Sequence, residues 1–340
     1  MTPAVALRTV RYHPPIGLST LFRPLPKRGP RQTLDVEYEI PKERAVLHFS
    51  ARCALGIPEQ TLLLVLLELA EASYLVDPAG CRIDAQSQLP LGRELWSTLH
   101  GGRRAEGHTL YLSTSWYVLN RLMGSPNGGS NIAQRKAQLQ RLCEVVVWER
   151  IKLDSGRWEE RQSYLVSWTV GDDQTVHLVL NQRLASALLG GQYSRVSLTE
   201  RFALGTDIAM AVHAFLSTTV RQGHSLDLRI DSVMGRLWPG DASCPNGTTR
   251  GRRKEVRAAL EAIGRLPGWS VAFRASKAGK EPVACVERKA DGASVGEKPS
   301  SRFIANNMTA YRQQSSIEKP IAGAASKRVD LSGLFSTKGV

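Results

Sequence analysis

A chain of 340 residues, 42% hydrophobic and 22% charged, has room for two ordinary domains with real cores, which excludes a disordered polymer. Its formal net charge of +14 points to a polyanionic partner. The longest apolar run, Leu62 to Leu67, is far short of the ~20 residues of a membrane span, and the N-terminus lacks the continuous apolar stretch of a secretory signal. The expectation is a cytoplasmic, nucleoid-associated protein that meets nucleic acid and not membrane.

In chain order, residues 1–33 hold six Lys/Arg and no acid, are rich in proline, and lack helical periodicity. They read as a basic, partly extended arm. A first unit, residues 34–181, opens on a strand from Leu34 to Tyr38, followed by an apolar helix from Pro58 to about Leu75. A short strand at Leu110 to Leu112 precedes a helix from Ser113 to Met123. The breaker run from Gly124 to Gly129 then separates that helix from one capped at Ser130 and reaching about Glu144. Three β-rich runs follow, Val145 to Leu153, Ser163 to Val170 and Thr175 to Leu180. Asp154-Ser155-Gly156 and Gly171-Asp172-Asp173 between them are hairpin turns.

A second unit, residues 182–290, repeats the order. It has a linking helix from Gln182 to Leu189, helices from Leu198 to Leu204 and from Thr206 to Arg221, and a strand from Leu226 to Arg229. A short helix, Asp231 to Leu237, ends at Pro239, with Asp231 as its cap. After a loop, Thr248 caps a helix to about Arg265, and Trp269 to Arg274 with Pro282 to Arg288 makes a closing hairpin. Helix, turn, helix, hairpin is the order of a winged helix. The expected fold is therefore α+β, two tandem winged-helix domains, with a thin polar tail over residues 291–340 that cannot bury enough surface to stay ordered.

A DNA-reading helix needs an apolar face against its domain and a polar face for the groove. In the first candidate, Ile132, Leu139, Leu142, Cys143 and Val146 fall within an arc of about 100°. Ser130, Gln134, Gln138 and Arg141 lie opposite, while Asn131 and Arg135 flank the core side near the exposed end. Glutamine suits adenine and arginine suits guanine, although a plain solvated face fits this pattern equally well. In the second candidate, Val256, Leu260 and Ile263 form the stripe, and Arg250, Lys254 and Arg257 point away. Thr248 and Thr249 sit at the helix start, and Arg252 and Arg253 flank the stripe within reach of phosphates. Like charges at i,i+3 and i,i+4 destabilise a helix unless a partner neutralises them, which favours nucleic acid here.

The residues Leu180-Asn181-Gln182-Arg183-Leu184-Ala185, Gly190 to Ser197, Ile230-Asp231-Ser232, Trp238-Pro239, Arg250 to Leu260 and Gly268-Trp269-Ser270-Val271 closely resemble the RepC replication initiators of IncQ-type plasmids. Leu21-Phe22-Arg23 and Leu34-Asp35-Val36 add to the likeness, which spans roughly residues 20 to 275. The resemblance implies tandem winged helices that bind directly repeated iterons in double-stranded origin DNA. It further implies opening of an adjacent AT-rich segment, where a plasmid-encoded helicase and primase act. A second copy of the chain is a further candidate partner. A winged-helix transcriptional regulator with a promoter target is the alternative from the same fold.

Nothing points to catalysis. There is no Walker loop, no dinucleotide-binding glycine motif, no His-x-His pair of a nickase and no His-Glu-x-x-His. The seven histidines are scattered. The five cysteines (53, 81, 143, 244 and 285) form no zinc pair and read as free thiols. Asp172-Asp173 reads as a solvated turn, and Tyr111, Trp116 and Tyr117 as core. The expectation is a binding protein with no catalytic residue, cofactor or metal.

Overall fold

In the computed structural model the described residues are 8–26, 29–239, 246–274 and 283–290, with no side-chain account of 246 and 247. The expected tail at 291–340, the tip of the last hairpin and Cys244 lie outside them. Within the expected basic, partly extended arm, the chain forms β1 (Thr9–Tyr12), which is extended, and α1 (Pro14–Leu18), a short helix not foreseen there. Val10, Tyr12, Ile16 and Leu21 are all buried, because alternate residues of the strand are large and apolar. Strands β2 (Leu34–Ile40) and β3 (Ala45–Ala51) form a hairpin. Leu34, Ile40, Leu47 and Phe49 point inward from it.

Helix α2 (Ile57–Val76) carries the run Leu62–Leu67 with every residue at 0% exposure, so it is wrapped on all sides and not amphipathic. Short α3 (Pro78–Cys81), β4 (Arg82–Ile83) and α4 (Pro90–Leu99) follow. Then come β5 (Thr109–Ser115), α5 (Trp116–Leu122) and α6 (Gly129–Cys143). The expected three β runs are four strands: β6 (Val146–Lys152), β7 (Trp158–Tyr164), β8 (Val166–Val170) and β9 (Thr175–Leu180). They divide between two antiparallel sheets, ordered β2-β3-β6-β7 and β4-β5-β9-β8. The switch occurs at Leu165, which is buried and whose N–H donates to Val145 O at 2.9 Å. Both anticipated turns are present: Gly156 has φ 81°, and Asp173 accepts from the Thr175 N–H at 2.9 Å and its hydroxyl at 2.6 Å.

The second half runs through α7 (Gln182–Leu188), β10 (Ser194–Ser197), α8 (Leu198–Ala203) and α9 (Asp207–Thr219). It continues with β11 (His224–Arg229), α10 (Ile230–Leu237), α11 (Asn246–Gly264), β12 (Trp269–Arg274) and β13 (Val283–Arg288). Strands β11, β13 and β12 form one antiparallel sheet in that order, and β1 pairs with β10. The buried apolar residues gather in two large cores, beside a small third cluster around Leu95, Trp96 and Leu99. One large core centres on α2 and the first two sheets, the other on Val212, Leu216, Val256, Leu260, Ile263 and Trp269. All the described residues nevertheless belong to one compact unit. Among them, no helix is long and apolar enough to cross a membrane.

Candidate nucleic-acid interface

Helix α11 is the next described element after α10 in the chain and precedes β12 and β13, which pair with each other. Val256, Ala259, Leu260 and Ile263 are buried against α9 and β12, leaving Thr248, Arg250, Arg253, Lys254, Arg257, Glu261 and Arg265 exposed. The periodicity explains this: apolar residues at 256, 260 and 263 sit on one side and cations between them on the other. The cations fall into two groups. Arg253 makes a two-pronged ion pair with Asp231 of α10, at 2.9 and 2.8 Å. Arg252 lies 4.8 Å from the Trp238 ring centroid at the end of α10. Arg257 stacks on Phe273 of β12 at 4.6 Å and pairs with Glu261, one turn along, at 3.2 Å. These three brace the helix against the hairpin and its preceding helix. Arg250 and Lys254 meet no carboxylate among the described residues, and they are one turn apart on the outer face. Thr249 is half-buried. Asp231 lies inside the first turn of α10, whose cap position is Arg229 and not Asp231 as expected; its carboxylate holds Arg253.

Helix α6 is arranged differently from expectation. Its buried face is Arg135, Gln138, Leu139 and Leu142, with Ile132 half-buried. Arg135, 5% exposed, donates from Nε to Asn120 of α5 at 3.3 Å, from Nη2 to Ser125 at 3.0 Å, and to Gln138 one turn along. Burial lowers the pKa of its guanidinium. Arg141 reaches the fully buried carboxylate of Glu59 in α2, with contacts of 2.8 and 2.6 Å. The same carboxylate takes Arg31 at 3.1 Å and the Gly56 N–H at 2.8 Å. Asn131 donates to the Pro126 carbonyl at 2.7 Å. Arg135, Gln138 and Arg141 therefore do not project to a groove: they fasten α6 to α5 and α2. The expected stripe missed this because it placed only apolar residues inside. The spacing 132, 135, 139 and 142 is a regular helical face once an arginine with internal acceptors is admitted.

The face of α6 that meets solvent is Ser130, Ala133, Gln134, Lys136, Ala137 and Gln140. Ser130 and Gln134 were anticipated; Lys136 and Gln140 were not. Lys136 lies 5.5 Å from the centroid of Trp116, the first residue of α5. The exposed tip of the β6–β7 hairpin beyond α6 carries Lys152 and Arg157. Sequence reasoning passed over both, although a basic residue on either side of a Gly turn is visible in the sequence.

Among the described residues, no group of three or more His, Cys, Asp or Glu side chains converges as a metal site. The four described cysteines are free thiols, and burial pushes the Cys143 thiol well above its ordinary range.

Among solved structures, one of domains 2 and 3 of RctB is 10% identical to this chain, covering 79% of it and 95% of the RctB chain at a TM-score of 0.48. One of the Pi initiator protein in complex with iteron DNA is 14% identical, covering 85% of this chain and 100% of that chain at a TM-score of 0.47. No curated protein matches the chain. The family model of Replication protein C (RepC) matches residues 4–280, most of the chain, and the chain belongs to that family.

Proposed function

We propose that this replication protein is a plasmid initiator of the IncQ-like kind that binds directly repeated iterons through two winged-helix domains, α5–α6 with the β6–β7 wing and α10–α11 with the β12–β13 wing. The observation that carries the reading is the outer face of α11, where Arg250 and Lys254 stand without a carboxylate partner while their neighbours brace the helix. Two unneutralised cations one turn apart on a rigid helix suit the phosphates flanking a major groove. On α6, Gln134 and Gln140 supply the donor and acceptor pair that adenine presents a partner for, and Ala133 and Ala137 supply methyl groups.

The protein acts by binding and has no catalytic step of its own. Filling the repeats bends the origin and stresses an AT-rich segment, which flexible pyrimidine–purine steps allow to open. The plasmid's helicase and primase then load on the exposed strands. Linking two modest surfaces in one chain raises affinity by effective concentration.

The test is footprinting of the purified chain on its origin together with the salt dependence of binding. Protection is expected over tandem direct repeats, and Arg250→Ala and Lys254→Ala should each reduce the slope of log K against log salt by about one unit. A single protected palindrome upstream of a gene would instead identify a transcriptional regulator. An unchanged slope would show that these cations remain in solvent.

A further inference from the structure

The two helices proposed to read DNA lie in different cores, yet the same turn at the start of α2 holds α6 directly and, through α8 and α9, the support of α11. On one side, the fully buried Glu59 carboxylate holds Arg141 of α6. On the other, Arg201 of α8 is inserted into the adjoining residues. Its Nε donates to Thr61 Oγ1 at 2.9 Å, and its Nη2 donates to Gln60 Oε1 at 3.0 Å and to the Ile57 carbonyl at 3.3 Å. Nη1 turns the other way and donates to the Met210 carbonyl of α9 at 3.0 Å. Helix α9 in turn packs on α11.

Arg201 is 0% exposed. All four of these partners are neutral, and burial lowers its pKa to about 10. A guanidinium buried among neutral acceptors is a poor source of stability, because desolvation offsets what the hydrogen bonds contribute. Its geometry is nonetheless strict. A planar fork aimed at one hydroxyl, one amide and two carbonyls is satisfied in only one arrangement of α8 on α2. A shift of about 1 Å strands several buried donors together, so the junction has one position and no graded series of slightly displaced ones.

We propose that Arg201 is a positioning residue that sets the separation and phase of the two DNA-binding helices, so that the chain accepts only one spacing between the two halves of a repeat. The inference rests on the reading that both α6 and α11 enter DNA. The Arg201 fork ties Gln60 and Thr61, the residues next to the Glu59 anchor of α6, to α9, the support of α11. Inserting one base pair between half-sites moves the second by about 3.4 Å and about 34° around the duplex, which a fixed pair of helices cannot follow.

The experiment measures binding of the full chain to single-repeat duplexes, native or carrying one or two extra base pairs between the footprinted halves. Wild type should lose about tenfold or more in affinity per insertion, the scale of a lost base contact. Arg201→Met should bind the native repeat more weakly but discriminate native from inserted duplex by less than about threefold. A folded Arg201→Met that keeps the wild-type discrimination overturns the proposal alone. Should that variant not fold, Gln60→Ala and Thr61→Val each remove one partner of the fork. Reduced discrimination in them supports the proposal, and wild-type discrimination overturns it. Wild type that is indifferent to the insertions overturns the two-helix reading itself.

Discussion

Replacing Arg135 by alanine separates the two roles its sequence position suggests. Its guanidinium is buried and joins Asn120, Ser125 and Gln138, so it holds the α5–α6 turn in place. Truncation leaves the Asn120 and Gln138 side-chain oxygens short of a donor. Each buried group so stranded costs about 1–3 kcal/mol, partly offset because the charge no longer has to be desolvated. A net loss of about 2–4 kcal/mol is expected. At roughly 2 °C per kcal/mol for a chain of this size, the thermal midpoint should fall by about 4–8 °C. Binding to origin DNA should weaken only as far as the α6 unit loosens. The slope of affinity against salt should be unchanged, because no phosphate contact has been removed. Calorimetry paired with a salt titration of binding reads both quantities. A variant as stable as wild type, whose salt slope drops by about one unit, would refute the structural role and restore Arg135 to the DNA surface.

Lys136→Ala and Gln140→Ala on the solvent face of α6 should weaken specific binding, Gln140→Ala most at one base pair of the repeat, with the thermal midpoint nearly unmoved; binding to variant duplexes checks this. Asp231→Asn should change stability by less than about 1 kcal/mol, since the pair with Arg253 is roughly half exposed on both sides, and urea denaturation would expose a larger effect. His13 is 4% exposed, and burial, aided by the nearby charge of Arg183, lowers its pKa from 6.5 to about 3. Its folded value lies below its unfolded one, so the unfolded chain takes up the proton first as the pH falls. The stability His13 contributes is full above pH 6.5 and is lost progressively below it, by about 2 kcal/mol at pH 5. Melting curves of His13→Asn should show a shallower decline between pH 7 and pH 5 than wild type, and parallel curves would contradict the assignment.

Much of the helix and strand order was legible in the amino-acid sequence for local reasons. The spacing of Val256, Leu260 and Ile263 defines the inner face of α11, Pro58 and the run from Leu62 mark α2, and Asp154-Ser155-Gly156 announces the β6–β7 turn. These signals live in neighbouring residues, and the net charge of +14 needs no structure at all. Short elements with weak patterns were not legible. Strand β1 was hidden in a proline- and arginine-rich stretch because its partner, β10, lies some 185 residues later in the sequence, at Ser194–Ser197 opposite Thr9–Tyr12.

What only the tertiary structure decided is the fate of each arginine. Arg135, Arg141 and Arg201 look in the sequence like Arg250: cations on helices of a basic protein. The first three meet acceptors contributed by α5, α2 and α9 and are drawn inward, while Arg250 meets none among the described residues and stays on the surface. A guanidinium is buried only where distant segments of the chain converge to satisfy its donors, and residue type and helical phase carry no record of that convergence.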